Sequence, residues 1–202
     1  MNYAAIKKTD VANGPGIRIS LFVSGCRHHC PECFNAVTWD FEYGEPFTAT
    51  QEEDILTSLN ANYIKGFSFL GGEPMEPENR STCLELARKI KAAYPDKSIW
   101  CYSGYLLEDL MAWAGKWKPL GALPVANLSP EGQKYLAQAP AEDAAELDEF
   151  LSLIDVLVDG EYMAEKMNLR LKFRGSSNQR LIDLPKSREA GFAILLPLPE
   201  RS

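Results

Sequence analysis

Three cysteines fall within eight residues, Cys26-Arg27-His28-His29-Cys30-Pro31-Glu32-Cys33, directly after a segment with a strand's alternation. In that segment Ile17, Ile19, Leu21 and Val23 interleave with Arg18, Ser20 and Phe22, the period-two pattern of a half-buried strand. A strand that feeds a thiol-rich loop constrains the fold, because the strand's carboxyl end must then face a ligand. The five cysteines are an odd number. The start of the chain, Met1-Asn2-Tyr3-Ala4-Ala5-Ile6-Lys7-Lys8, has no apolar core of an export signal. The chain therefore reads as cytoplasmic, where a disulfide framework is not expected and closely spaced thiols usually hold a metal. Cys83 and Cys101 stand alone in apolar-periodic segments and read as small buried hydrophobes.

Strands and helices alternate beyond the loop. Thr50 and Glu53 form a capping-box pattern that opens a helix reaching about Asn60. Gly66–Leu70 is a second strand, closed by Gly71-Gly72-Glu73-Pro74, and a helix follows from about Glu78 to Tyr94, with Cys83, Leu86, Ala87, Ile90 and Tyr94 on one face. Ser98–Tyr102 is a third strand ending at Ser103-Gly104, and Leu106, Leu107, Leu110, Met111 and Ala114 mark another helix. The pattern breaks from Lys116, where Pro119, Pro124, Pro130 and Pro140 punctuate a segment with too few apolar residues for its own core. We expect an insertion or long loop at about 116–149, with helical character over Asp143–Leu151. Ile154–Val158 is a fourth strand ending at Asp159-Gly160; a C-terminal extension covers about 185–202.

Repeated strand–helix units imply an α/β fold: a parallel sheet with helices outside and ligands at the carboxyl ends of the strands. The cysteine loop, Gly-Gly-Glu-Pro, Ser-Gly and Asp-Gly would then converge on one edge. A full eight-unit barrel takes ~250 residues. The 202 residues here, with four or five units, suggest one domain over 1–202 shaped as a partial, open β/α barrel.

The formal charge of −7 makes nucleic acid a poor candidate partner, since affinity for it comes mainly from neutralising phosphates. No run approaches the ~18 apolar residues of a membrane span. Charge is divided unevenly: residues 141–165 hold nine acids and no base, and residues 166–202 hold eight bases and three acids. Two solvated faces are the plain reading; two docking surfaces are the other.

Zinc and iron–sulfur clusters both take thiolates. A closed zinc site needs a fourth ligand, and only His28 or His29 is at hand, so one ion would have to be wrapped within eight residues. A [4Fe–4S] cube has four separate corners, and three thiolates leave one iron open, an arrangement associated with chemistry rather than structure.

Cys-x₃-Cys-x₂-Cys after a first strand, with Phe34 beside the third cysteine and Gly71-Gly72-Glu73-Pro74 after the next strand, resembles the radical S-adenosylmethionine enzymes. Asn13-Gly14-Pro15-Gly16-Ile17-Arg18 is similar to the lead-in of glycyl-radical activating enzymes. Asp155–Gly160 and Arg174-Gly175-Ser176-Ser177-Asn178-Gln179-Arg180 resemble the activating proteins of anaerobic ribonucleoside-triphosphate reductases. The likeness covers most of 1–115 and 150–184. Many members carry an aromatic before the third cysteine, where this chain has Glu32.

The resemblance implies the radical S-adenosylmethionine type of barrel, with Cys26, Cys30 and Cys33 ligating one [4Fe–4S] cluster. S-adenosylmethionine would chelate the open iron and meet the backbone of Glu32, Cys33 and Phe34 and the turn Gly71, Gly72 and Glu73. The two glycines would admit the ligand because they lack Cβ. No side chain beyond the cluster and cofactor is implied as catalytic; His28 and His29 are read as packing or hydrogen-bonding groups. Asn13, Arg18, Asp159 and the Arg174–Arg180 turn are weaker candidates for the mouth of the sheet. The implied reaction is reductive cleavage of S-adenosylmethionine, the 5′-deoxyadenosyl radical taking hydrogen from a glycine of the large, glycyl-radical subunit of the reductase. Reduced flavodoxin or a similar donor would supply the electron. The alternatives are an activator of another glycyl-radical enzyme such as pyruvate formate-lyase, a radical enzyme acting on a small molecule, and a zinc-stabilised binding module without catalysis.

Overall fold

The structure is a computed structural model that describes residues 1–115 and 141–197. Its centre is one seven-stranded sheet. In chain order the elements are β1 (Asn2–Asp10), β2 (Ile17–Val23), β3 (Glu45–Pro46), α1 (Ala49–Leu59), β4 (Ile64–Gly71), α2 (Pro77–Ala93), β5 (Ser98–Tyr102), α3 (Leu107–Ala114), α4 (Ala141–Leu153), β6 (Val156–Asp159), β7 (Arg180–Asp183) and α5 (Leu184–Ala190). The strand order is β3-β1-β2-β4-β5-β6-β7. The four middle strands β2, β4, β5 and β6 run parallel, while β1, flanked by the short edge strand β3, and the other edge strand β7 are antiparallel to their neighbours. The fold is thus mixed α/β, parallel where strand–helix units were read and antiparallel at both margins.

Alternation in the middle strands sorts two faces. Ile19, Leu21 and Val23 of β2, Phe67 and Phe69 of β4, Ile99 and Cys101 of β5 and Leu157 of β6 are buried in one core with the apolar faces of the helices. The ring of Phe69 meets that of Phe150 on α4 at 5.5 Å, edge on. The opposite face carries Arg18, Ser20, Ser68 and Trp100 in neighbouring registers. A smaller cluster of Trp100, Val156, Val158 and Leu181 sits there, joined by Phe173 and Leu196.

Arg18 is fully buried on that second face and does not line the sheet's mouth. Its guanidinium donates to the carbonyls of Phe67 (2.6 Å) and Ser98 (2.8 Å) and to the hydroxyls of Ser68 (2.8 Å) and Ser98 (3.0 Å). It ties β2, β4 and β5 together and satisfies its donors on main chain, as a buried cation must.

Several boundaries differ from the sequence reading for identifiable reasons. The cap of α1 is Thr48 with Gln51, whose side chains exchange hydrogen bonds with each other's backbone. Thr48-x-x-Gln51 and Thr50-x-x-Glu53 fit the same box, and the earlier one wins. β1 was unread because Asn2–Asp10 holds few apolar residues. Its lysines suit an outer strand, and two irregularities interrupt its pairing with β2. The helical character read over Asp143–Leu151 is α4, which starts two residues earlier, within the expected 116–149 insertion, and buries Leu147, Phe150 and Leu151; the rest of that insertion, 116–140, lies outside the described residues. The tail folds back onto the sheet, with Leu196 N–H bonded to the carbonyl of Leu181 at 2.8 Å.

The acidic run is largely neutralised within the chain. Asp143 and Glu146 pair with Arg80, Glu149 with Arg88 and Asp155 with Lys91, all on α2. Arg180 of β7 bridges Asp159 and Glu108. Asp159 is fully buried, so Arg180→Ala strands a carboxylate and should cost about 3 kcal/mol in urea unfolding. The Glu108 carboxyl is partly desolvated, but the Arg180 guanidinium outweighs this and holds it below the usual carboxylate range. Its folded value being depressed, the Glu108 contribution is present above the ordinary value near 4.5 and lost as pH falls through the lower one. Glu108→Gln should accordingly flatten the loss of stability in that acid window; an unchanged slope would remove Glu108 from the account.

Candidate metal centre

β2 ends at Val23, and the chain turns through Ser24-Gly25 into the cysteine loop. Gly25 has φ +99°, and a Cβ there would lie 2.1 Å from the Phe41 ring. Only glycine fits so close to that ring. The loop is collared by the single helical turn Ala36–Trp39 that follows it: Gly25 N–H bonds Thr38 O at 2.8 Å and Cys26 N–H bonds Trp39 O at 3.1 Å.

Turns after the parallel strands meet this loop from the other side. Gly72 N–H donates to Val23 O (2.7 Å) and Glu73 N–H to Gly25 O (2.8 Å), so the Gly-Gly-Glu turn is stitched to the end of β2. Glu73 is buried, and its carboxylate accepts from Met75 N–H (2.9 Å) and Gly104 N–H (2.7 Å). Ser103 N–H reaches Val158 O at 2.9 Å, and Glu161, just past β6, bonds His28 Nδ1 at 2.9 Å. The four strand ends are thereby drawn to one place.

They enclose a cavity of about 480 Å³, within the range of small-molecule sites. Cys26, Cys30, Cys33, Phe34, Gly71, Gly72 and Glu73 all line it, together with Asn13, Tyr102, Arg174 and Gln179. Glu32 does not line it. Glu32 lies on the exposed side of the loop with φ +58°. Asp159 is likewise absent from the wall, its side chain being taken by Arg180 and by Leu107 N–H.

Gly71 and Gly72 differ from expectation in what their missing Cβ serves. A Cβ on Gly72 would stand 2.5 Å from the carbonyl oxygen of Gly25, and one on Gly71 2.7 Å from the backbone of Phe22. The missing Cβ of Gly71 lets the turn approach the end of β2, and that of Gly72 lets it approach the start of the cysteine loop.

The thiols suit iron. Cys33 Sγ accepts from Asn35 N–H at 3.4 Å. Cys26 faces the backbone N–H groups of His28 and His29, and Cys30 that of Tyr162. Burial pushes the Cys26 and Cys30 thiols up, and nearby carboxylates add to this. Thiolates here therefore need a positive centre, which coordinated metal provides. A zinc knuckle closed by histidine is not what the loop forms. His28 is held between Glu161 and Glu73, with Nε2 3.3 Å from Glu73 Oε2, and His29 stacks on Trp39 at 4.7 Å. Burial opposes the charge on His28, but the hydrogen bond to Glu161 and the Glu73 carboxylate outweigh it and raise its pKa to about 10.

Four supports escaped the sequence reading. Asn79, buried in the first turn of α2, donates to Ser24 O (2.9 Å) and Glu73 O (3.0 Å), pinning loop to turn. Glu76 is buried beside it and accepts from Arg27 N–H at 3.1 Å and from the Arg27 guanidinium. Glu161 and Tyr162 hold His28 and Phe34 respectively, the two aromatic rings 5.0 Å apart. A polar residue in the first turn of the helix that follows Gly-Gly-Glu-Pro was the available signal for Asn79; nothing local distinguished Glu161.

Comparison with known proteins agrees with this centre. A profile of the 4Fe-4S single cluster domain matches residues 12–126 and 131–182, most of the chain. That defines the class, an iron–sulfur protein with one cluster. Anaerobic ribonucleoside-triphosphate reductase-activating proteins are similar along nearly the whole length. The one from Escherichia coli K12 is 38% identical over 181 residues, 89% of this chain and 96% of its own. Those of Vibrio cholerae (37%, with the same coverage) and phage T4 (34%, over 90% of this chain and 93% of its own) are comparable. The chain belongs to the family of these activating proteins.

Proposed function

We propose that this protein activates an anaerobic ribonucleoside-triphosphate reductase by generating a radical on a glycine of that enzyme's large subunit. The observation that carries the reading is the convergence of three cysteine sulfurs and the Gly-Gly-Glu turn on one cavity, in a chain of the activating-protein family. Cys26, Cys30 and Cys33 would hold a [4Fe–4S] cluster. The backbone of Gly71, Gly72 and Glu73 and of Cys33 and Phe34, which line the cavity where Glu32 does not, would bind S-adenosylmethionine. When bound, cluster and cofactor supply reductive cleavage of the sulfonium and a 5′-deoxyadenosyl radical that takes hydrogen from the partner's glycine.

The chain's own residues position and enclose. The Glu73 carboxylate, already engaged by two backbone N–H groups and His28, orients the turn rather than meeting the cofactor's ammonium. His28 and Glu161 bind the cysteine loop to the end of β6, which keeps the strand ends in register round the cavity. Phe34 and Tyr162 shield the cavity beside the third cysteine, and excluding water matters because a primary radical attacks what is nearest. The sheet, with helices on one face and a cavity bounded by its carboxyl ends, supports a partial β/α barrel of radical S-adenosylmethionine type, one domain over 1–202. Reduced flavodoxin or a similar donor and a cytoplasmic setting complete the reading; no helix among the described residues is long and apolar enough to cross a membrane.

Anaerobic reconstitution with iron and sulfide should give a brown protein whose visible absorption bleaches on reduction. Added to the reductase large subunit with S-adenosylmethionine, it should produce a glycyl radical signal in electron paramagnetic resonance. Turnover of a small molecule with no radical on the partner would overturn the proposal.

A further inference from the structure

Between β6 and β7 the chain forms a strap, residues 161–179, that makes one wall of the cavity through Tyr162, Asn168, Leu169, Leu171, Phe173 and Arg174. The strap is held in shape by its own contacts: Met167 bridges Ser176, and Ser177 N–H bonds Lys166 O at 2.9 Å. Two features of it are not used by the cofactor reading. Leu169 and Met167 are 77% and 49% exposed, and Leu169 also lines the cavity, so apolar surface stands at the rim. Phe34, 69% exposed and also lining, faces the rim from the cysteine loop. Interleaved with the lining residues are Lys166, Arg170 and Lys172, none of which lines the cavity or has an ion-pair partner among the described residues.

This local excess of positive charge sits on a chain of net charge −7. Most acids nearby in sequence do not cancel it: Asp143, Glu146, Glu149, Asp155 and Asp159 are engaged by Arg80, Arg88, Lys91 and Arg180, and Glu161 by His28, while exposed Glu165 on the strap itself offsets one of the three positive charges. Of the two charge blocks in the sequence, the acidic one is the more fully engaged within the chain. A net basic strip round an apolar rim attracts an acidic surface and orients it over the opening.

We propose that the strap is the docking surface for the protein that delivers the glycine, and that this partner meets Lys166, Arg170 and Lys172 with carboxylates and Leu169, Met167 and Phe34 with apolar side chains. The proposal rests on the activating function above and adds the surface and the chemistry of the partner. Delivery of a peptide glycine to the cavity has to pass this rim, and a rim that is apolar at the lip and charged just outside it matches the layout of a protein interface.

The test uses the reconstituted, S-adenosylmethionine-loaded protein and the reductase large subunit. Lys166→Glu, Arg170→Glu and Lys172→Glu are combined in one variant, with Lys65→Glu, exposed at the start of β4, as control. Expected are a Kd weakened by about tenfold or more and a shallower dependence on salt, with dithionite-driven S-adenosylmethionine cleavage in the absence of partner unchanged. Lys65→Glu should leave both intact. An unaltered Kd and salt slope, in a wild-type protein that does form the glycyl radical, overturns the docking surface while leaving the function standing. So does a defect confined to reduction by flavodoxin, or competition for the strap by a single-stranded oligonucleotide. Absence of a glycyl radical with the wild-type protein counts instead against the function itself.

Discussion

Alanine at Cys26, Cys30 or Cys33 is expected to leave iron and acid-labile sulfide near background after anaerobic reconstitution, whereas Cys83→Ala and Cys101→Ala keep both. All three loop thiols line one cavity, and Cys33 Sγ accepts a backbone N–H there. Removing any one takes away a corner of the cluster, so partial occupancy is not the expected outcome. Cys83 and Cys101 are fully buried in the apolar core between sheet and helices, where burial holds their thiols protonated. Their truncation should cost about 1 kcal/mol of packing and no iron. Normal iron in Cys30→Ala, or none in Cys83→Ala, would reverse the assignment.

What could be read in advance followed periodicity and proximity in the chain. β4, β5, α2 and α3 were legible because buried apolar residues recur at period two or three to four over each. The cysteine loop was legible because its ligands lie within eight residues. β1 was not, since its residues are mostly half-buried without apolar alternation and only pairing with β2 and β3 makes it a strand. The roles of Gly71 and Gly72 were half legible: the turn was evident, but the neighbour that excludes a Cβ is the backbone of a segment almost fifty residues earlier. Glu161 is more distant still, 133 residues from His28, and carries no pattern of its own. Arg18, read as a mouth residue from its place in the Gly-Pro-Gly lead-in, could only be relocated once the neighbouring strands supplied the carbonyls it satisfies.

Gly72→Val should abolish cluster assembly as well as S-adenosylmethionine binding. Its Cβ would come within 2.5 Å of the Gly25 oxygen and 3.0 Å of the Gly25 carbon and nitrogen. Those atoms are main chain and cannot swing aside, unlike the end of a flexible side chain, so turn and cysteine loop must separate. Separation breaks the bonds Gly72 N–H to Val23 O and Glu73 N–H to Gly25 O, and loosens Asn79 from Ser24 and Glu73. Overpacking of this kind costs roughly 1–3 kcal/mol in stability, but its larger effect falls on the site, because the displaced segment carries Cys26 one residue beyond the collision. Iron content after reconstitution and equilibrium dialysis with labelled S-adenosylmethionine read the two consequences separately, and far-ultraviolet circular dichroism checks that the sheet persists. A variant with a full cluster and weak S-adenosylmethionine binding would mean that the glycine serves ligand approach after all. A variant normal in both would show that the loop and turn are not in contact.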